Sequence, residues 1–199
     1  MKHIARIQLL AAGLLASSSA VIAQAQSTWA IDPAHSQAEF TIRHMGISNV
    51  RGRFTNINGT IRMDEKDLAK SSVNATVDTA TVDTGVAQRD THLKSGDFFD
   101  VTKFPAMSFA GGSVAQDGDD YVVKGNLTLH GVTKPVVLHM DVPGKEQLGP
   151  DNKLHRGFSA STTVHRQDFG LVWNGTLKSG DSVLADDVKI TLDIEAVKE

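Results

Sequence analysis

The sequence predicts an all-β protein of antiparallel strands, and three observations carry the prediction. Between Gln37 and the C-terminus, seven or eight stretches alternate apolar and polar residues with a period of two. That period sets one strand face toward an apolar interior and the other toward water. Gly, Asn, Asp and Pro gather in the short links between the stretches, where they favour turns. No long linker or low-complexity segment divides the chain, so a single domain accounts for it.

The first 25 residues read as an export signal. Lys2, His3 and Arg6 make a basic start, residues 9–16 an apolar stretch, and Ala23-Gln24-Ala25 a small-x-small cleavage site. The apolar stretch is far shorter than the roughly 20 residues that span a bilayer. The expectation is an exported, soluble domain over residues 26–199, without stable membrane insertion.

The strands follow in order. Ala38, Phe40 and Ile42 alternate with Gln37, Glu39, Thr41 and Arg43; then come Ile57, Gly59, Ile61, Met63 and Val73, Ala75, Val77. Met107, Phe109, Gly111 precede Tyr121, Val123, Gly125, Leu127, Leu129 and Val136, Leu138, Met140, Val142. The last two runs are Leu154, Arg156, Phe158, Ala160, Thr162, Val164 and Val188, Ile190, Leu192, Ile194, Ala196. Residues 84–95 suit a short helix with Thr84 as its cap, and residues 64–70 one or two helical turns. Gln116-Asp117-Gly118-Asp119, His130-Gly131 and the loop 144–151 read as turns.

Strands of this number form either a two-sheet sandwich or a closed barrel. A barrel of about eight strands has an interior that side chains fill or that holds one small ligand. Gly59, Ala75, Gly111, Gly125 and Ala160 on the inward faces leave space beside Phe40, Phe109 and Phe158, or else relieve crowding at bends.

Composition narrows the function. Without the first 25 residues the chain keeps 18 Lys plus Arg against 23 Asp plus Glu, a net charge of about −5, which is no footprint for nucleic acid or an anionic membrane. It has no cysteine, hence no disulfide framework, and the 174 remaining residues need none. The seven histidines of that region show no i,i+2 strand spacing or i,i+3 or i,i+4 helix spacing of the kind that presents two metal ligands together. No Gly-x-Ser-x-Gly elbow and no Gly-rich phosphate loop is present. Asp90 with His92 is the one pair to weigh for acid–base work. No catalytic residue, metal ligand or cofactor is assigned.

Four segments resemble a known family. These are Trp29-x-Ile31-Asp32-Pro33-x-His35-Ser36-x-x-x-Phe40; Arg89-Asp90-x-His92-Leu93 with Asp97-Phe98-Phe99-Asp100 and Phe104-Pro105; the run from Gly125 through His130-Gly131 to Val136; and Arg166-x-Asp168-Phe169-Gly170-Leu171. Together, and in this order, they look like the YceI-like family. The resemblance implies an eight-stranded antiparallel lipocalin-like β-barrel, exported to the periplasm. Its elongated apolar channel would hold a polyisoprenoid or another long-chain amphiphilic lipid, with no enzymatic activity. About 0.8 kcal/mol per buried CH₂ makes such a channel a strong solvent for an insoluble chain.

By strand parity Phe40, Ile42, Phe109, Leu127, Leu129 and Phe158 are expected along the lumen. Leu93, Phe98, Phe99, Phe104 and Trp173 are expected to close one end. Donors for a charged headgroup are sought among Arg51, Arg53, Arg89, Lys94 and Arg166, with His35, His44 and His92 nearby; His44 shares the parity of Phe40 and Ile42. Against this stand two alternatives. Arg89, Asp90 and His92 would be a structural cluster pinning the helix, and His35 a turn residue beside Asp32 and Pro33. Two rival functions are a packed, ligand-free barrel serving in stress response or adhesion, and a lipid-modifying enzyme using Asp90 and His92. The sequence leaves oligomeric state open, a homodimer included.

Overall fold

In the computed structural model, which describes residues 26–199, the chain forms eleven strands and one α-helix. The expected export signal lies outside the described residues. The strands are β1 (Gln26–Ile31), β2 (Gln37–His44), β3 (Ser48–Phe54), β4 (Ile57–Asp64), β5 (Ser72–Asp78), β6 (Ala106–Asp117), β7 (Asp120–Leu129), β8 (Val132–Met140), β9 (Gln147–Leu148), β10 (Leu154–His165) and β11 (Leu184–Lys198). The helix α1 spans Ala87–Lys94. No described helix is long and apolar enough to cross a membrane.

Eight strands, β1, β4 to β8, β10 and β11, close an antiparallel barrel. Closure depends on β11, whose 15 residues pair with β10 along one edge and are shared between two strands on the other. Its end meets β1 in the register Trp29↔Lys198 to Ile31↔Ala196, and its first part meets β2 in the register Ile42↔Val188 to Gln37↔Asp193. The chain leaves the sheet between β1 and β2 at Asp32-Pro33, where Pro33 lacks an N–H and the Asp32 carboxylate accepts the Ala34 N–H at 2.9 Å. The β2–β3 hairpin therefore continues the wall beyond the eight-strand circuit.

The alternation does not reveal β1 or β3. Gln26, Ser27 and Thr28 give β1 no apolar partner for Trp29, and β3 carries only Val50 and Phe54 among polar residues. Gly52 in β3 is a packing requirement, since a Cβ there would strike the Phe40 ring. Gly111 and Gly125 answer to the same cause: the Phe109 ring lies over both, so the space the sequence suggested beside Phe109 is filled by its own ring. Val142, expected in line with Val136 and Met140, lies past the end of β8 and is exposed.

The expected turns at 116–119 and His130-Gly131 form, whereas the loop 144–151 contains the two-residue strand β9. His130 and Gly131 both have positive φ, 51° and 75°, the type I′ geometry that matches the twist of a two-residue hairpin. Residues 64–70 contain a single 3₁₀ turn, Leu68–Lys70. The helix differs in its start. Val86 is its N-cap and offers no side-chain acceptor, while Thr84 stands two residues before it. Asp90 instead accepts from the Thr84 N–H at 2.9 Å and the Thr84 hydroxyl at 2.5 Å. Arg89 donates to the Thr84 hydroxyl at 2.7 Å and to its carbonyl at 3.0 Å. The helix is thus tied down from inside its first turns, because Thr84 is too far back to reach the free N–H groups of the helix start.

One part of the wall is split. β8 and β10 pair only at Met140↔Ala160 and His139↔Ser161. Beyond that point a 3₁₀ turn, Arg166–Phe169, follows β10 directly and buries Phe169 at 1% exposure. Gly170, with φ 79°, ends the turn in the left-handed region that its missing Cβ permits. Phe169 packs with Leu129, Val164 and Leu171, closing from within what the β8–β10 ladder leaves open.

Candidate functional site

Inside the barrel lie two apolar chambers. The first, about 290 Å³, is walled by β2, β3, β11, α1 and the loops after α1 and after Arg166–Phe169. The second, about 390 Å³, occupies the middle of the barrel among β4 to β8, β10 and β11. Ala38, Met107, Leu129 and Ile190 line both, so the chambers abut at a common waist. Their combined space falls in the roughly 300–1,000 Å³ range of small-molecule sites. A hollow of about 630 Å³ on the outer wall is larger than either, yet Lys134, His139, His165, Asp168 and Lys189 line it. That hollow mixes these polar groups with Val136, Val137 and Phe169, whereas the two inner chambers are overwhelmingly apolar, so the interior is the candidate site.

Phe40, Ile42 and His44 line the first chamber, Phe109, Leu127 and Phe158 the second, and Leu129 both. Of the residues expected to close one end, Leu93, Phe98, Phe99 and Trp173 line the first chamber. Phe104 does not: its ring packs against His130, with centroids 4.5 Å apart. Two aromatic groups stand at this chamber. Trp173, Phe98 and His92 stand 5.0 to 5.1 Å apart in a mutual triangle, and Phe54 links Phe40 at 5.7 Å to Phe99 at 5.2 Å. Such tilted and edge-on contacts add to area burial. The parity argument missed Val50 and Phe54 because β3 itself was not legible. It could have found Val188, Ile190 and Met107, which lie in recognised runs.

The polar candidates separate cleanly. Arg89, His92, His44 and Arg166 line the first chamber, whereas Arg51, Arg53, Lys94 and His35 line neither. Arg53 is paired with Asp83 at 3.1 Å. Asp90 is held by Thr84, and His92 Nε2 lies 2.9 Å from Asp97, so each member of the proposed acid–base pair has a different partner. Arg166 is 3% exposed and donates through Nε to the Ala185 carbonyl at 2.9 Å and through Nη1 to the carbonyls of Leu171 and Trp173. Burial pushes the pKa of its guanidinium below the ordinary value.

A separate cluster lies on the outer wall. Asp32, His35 and Glu195 bring one donor atom each within 4.8 Å of one another, and none of the three lines a chamber. His35 Nδ1 sits 2.7 Å from Asp32, the turn role expected of it. His155 bridges Asp151 at 3.0 Å and Glu195 at 2.7 Å. Hydrogen bonding to these carboxylates raises both imidazoles above 6.5, His35 through Asp32 and His155 through Asp151 and then Glu195. The same bonds hold Asp32 and Asp151 below 3.8. The imidazole contribution to stability is complete below 6.5 and disappears as pH rises through the raised values; the carboxylate contribution is present above 3.8 and disappears as pH falls through the lowered ones. Stability from this cluster is therefore expected to be greatest between about pH 4 and 6.5. His155→Gln should flatten the decline of melting temperature above that window; an unchanged profile would remove the cluster from the account.

The comparisons with known proteins agree with the geometry. The sequence profile of the YceI-like domain matches residues 29–196. The chain belongs to the YceI-like family. A UPF0312 protein of Pectobacterium atrosepticum is 37% identical over 97% of this chain and 96% of its own length. Protein YceI of Escherichia coli is 36% identical over 83% of both chains. Among solved structures, a Campylobacter jejuni YceI protein has a TM-score of 0.64 at 31% identity, covering 79% of this chain and 90% of that one. A polyisoprenoid binding domain from Saccharophagus degradans has a TM-score of 0.62 at 14% identity, covering 86% and 98%, and shares the fold. This YceI-like chain thus has the barrel its four motifs predicted. The motifs also have structural reasons here: Trp29 is fully buried, His130-Gly131 makes the hairpin turn, and Arg166 to Leu171 seals the split in the wall.

Proposed function

We propose that this protein is an exported carrier that sequesters or ferries a long-chain lipid, a polyisoprenoid in the first instance, within its barrel. The observation that carries the reading is the pair of apolar chambers sharing one waist, a shape suited to a chain rather than to a compact ligand. Each methylene moved from water into such a space contributes about 0.8 kcal/mol. The described polyisoprenoid binding by the Saccharophagus domain supports the same ligand class in this fold. The chamber volumes favour a carrier over a solidly packed barrel, and the separate partners of Asp90 and His92 favour binding over chemistry at that pair. The basic, apolar, small-x-small start of the sequence supports export, and membership of the YceI-like family supports the periplasm as the destination.

Native mass spectrometry of the mature protein purified from its own host, followed by organic extraction, tests the proposal. A stoichiometric isoprenoid or other long-chain lipid is the expected result. A ligand-free protein that also refuses added polyprenyl phosphate and quinone would overturn it.

A further inference from the structure

The first chamber contains an unusual cation. Arg166 lines it at 3% exposure, and three of its donor contacts run to backbone carbonyls, those of Ala185, Leu171 and Trp173. None of these acceptors carries a formal charge, and among the described residues no carboxylate forms an ion pair with Arg166. Its Nη2 is the one buried side-chain nitrogen or oxygen among the described residues without a hydrogen-bond partner. A guanidinium cannot shed its proton under ordinary conditions, so a charge and a free donor remain in an apolar enclosure.

Arg89 also lines the first chamber, with Glu39 as the one carboxylate there, whereas in the second chamber Arg156 pairs with Glu65 at 2.8 Å. The two ends of the lumen therefore differ: Arg156 is ion-paired, whereas among the described residues Arg166 has no ion pair and feels the carboxylate of Asp186 only from a distance. A neutral alcohol would satisfy one donor there. An oxyanion would satisfy the donor and the charge together, as charge-assisted pairs with arginine do.

We propose that the ligand is an anionic amphiphile, its phosphate or carboxylate headgroup engaged by Arg166 in the first chamber and its chain passing the waist into the second. This rests on the carrier reading and specifies its ligand class and orientation.

The test uses the wild-type protein with three probes, farnesyl phosphate, farnesol and inorganic phosphate, by isothermal titration at constant ionic strength. Farnesyl phosphate is expected to bind at least about tenfold more tightly than farnesol, and inorganic phosphate far more weakly than either. In Arg166→Met the ratio should collapse toward one while farnesol affinity is kept. Arg166→Lys, which keeps the charge without the planar fork, should give an intermediate ratio and serves if the methionine variant does not fold. Equal binding of farnesyl phosphate and farnesol by the wild type would overturn the anionic headgroup and leave the carrier intact. Binding of neither would overturn the carrier itself. Inorganic phosphate binding as tightly as farnesyl phosphate would make this a free-anion site and overturn the amphiphile. A full ratio surviving in a folded Arg166 variant would overturn the assignment to Arg166.

Discussion

Ala38→Phe is expected to weaken geranylgeraniol binding by roughly 100-fold while leaving geraniol binding nearly unchanged. Ala38 is 7% exposed, points inward from β2 with the parity of Phe40 and Ile42, and lines both chambers. A phenyl ring there narrows the waist. A short chain still fits within one chamber, but a longer one loses whatever part must cross. Excluding only four methylenes, at about 0.8 kcal/mol each, removes about 3 kcal/mol, which is roughly a 100-fold change in affinity.

The same variant distinguishes a lumen from a packed core. Inserting a large side chain into well-packed surroundings costs typically 1–3 kcal/mol through forced rotamers and backbone shifts. If the ring enters real space, the melting temperature holds or rises while long-chain binding falls. A variant that melts early and loses both probes equally would show that the waist is already full, and the carrier reading would lose its main support. Displacement of a fluorescent fatty-acid probe by each alcohol, alongside a thermal melt, gives both quantities.

What could be read from the sequence divides along a physical line. Period-two alternation reports which face of a strand is apolar, so β2, β4, β5, β6, β7, β8, β10 and β11 were legible, and with them Phe40, Ile42, Phe109, Leu127, Leu129 and Phe158 as inward residues. Alternation cannot report pairing. That β11 serves both β1 and β2 depends on register between residues at least 140 positions apart in the chain. β1 contributes only Trp29 and Ile31 to the apolar face, too few to make a period.

The candidate site was legible in its walls and not in its polar groups. Arg51, Arg53, Arg89, Lys94 and Arg166 look alike as letters. What sets Arg166 apart is the carbonyl of Ala185, brought to it by the entry of β11, and those of Leu171 and Trp173, turned toward it by the left-handed Gly170. Thr84 shows the limit in another form. It is a good capping residue by type, but its distance from the helix start diverts it to Asp90 and Arg89. Phe104 was an aromatic near the right end of the barrel, and only the β7–β8 turn decided that it would meet His130 instead.

Trp29→Ala is expected to destabilise the fold by about 3–5 kcal/mol, as truncation of a fully buried aromatic does. Trp29 is 0% exposed, its Nε1 donates to the Ser27 hydroxyl at 2.8 Å, and the ring packs with Met63, Phe158 and Ala196. It stands in the short strand that joins β11 to β4, in register with Lys198 on one side and Ile61 on the other. The residue therefore does two things at once: it supplies the largest side chain of this cluster and anchors the strand that completes the barrel. At about 2–4 °C per kcal/mol for a domain of this size, the melting temperature should fall by roughly 6–20 °C. Because Met63 and Phe158 also line the second chamber, their loss of support should loosen that end of the lumen. Long-chain binding is then expected to weaken even at temperatures where the variant remains folded, with hydrogen exchange in β1 and the end of β11 rising first. A fall of less than a few degrees would mean that the surrounding side chains collapse into the space. In that case closure would depend on the β1–β4 and β1–β11 backbone ladders more than on the indole between them.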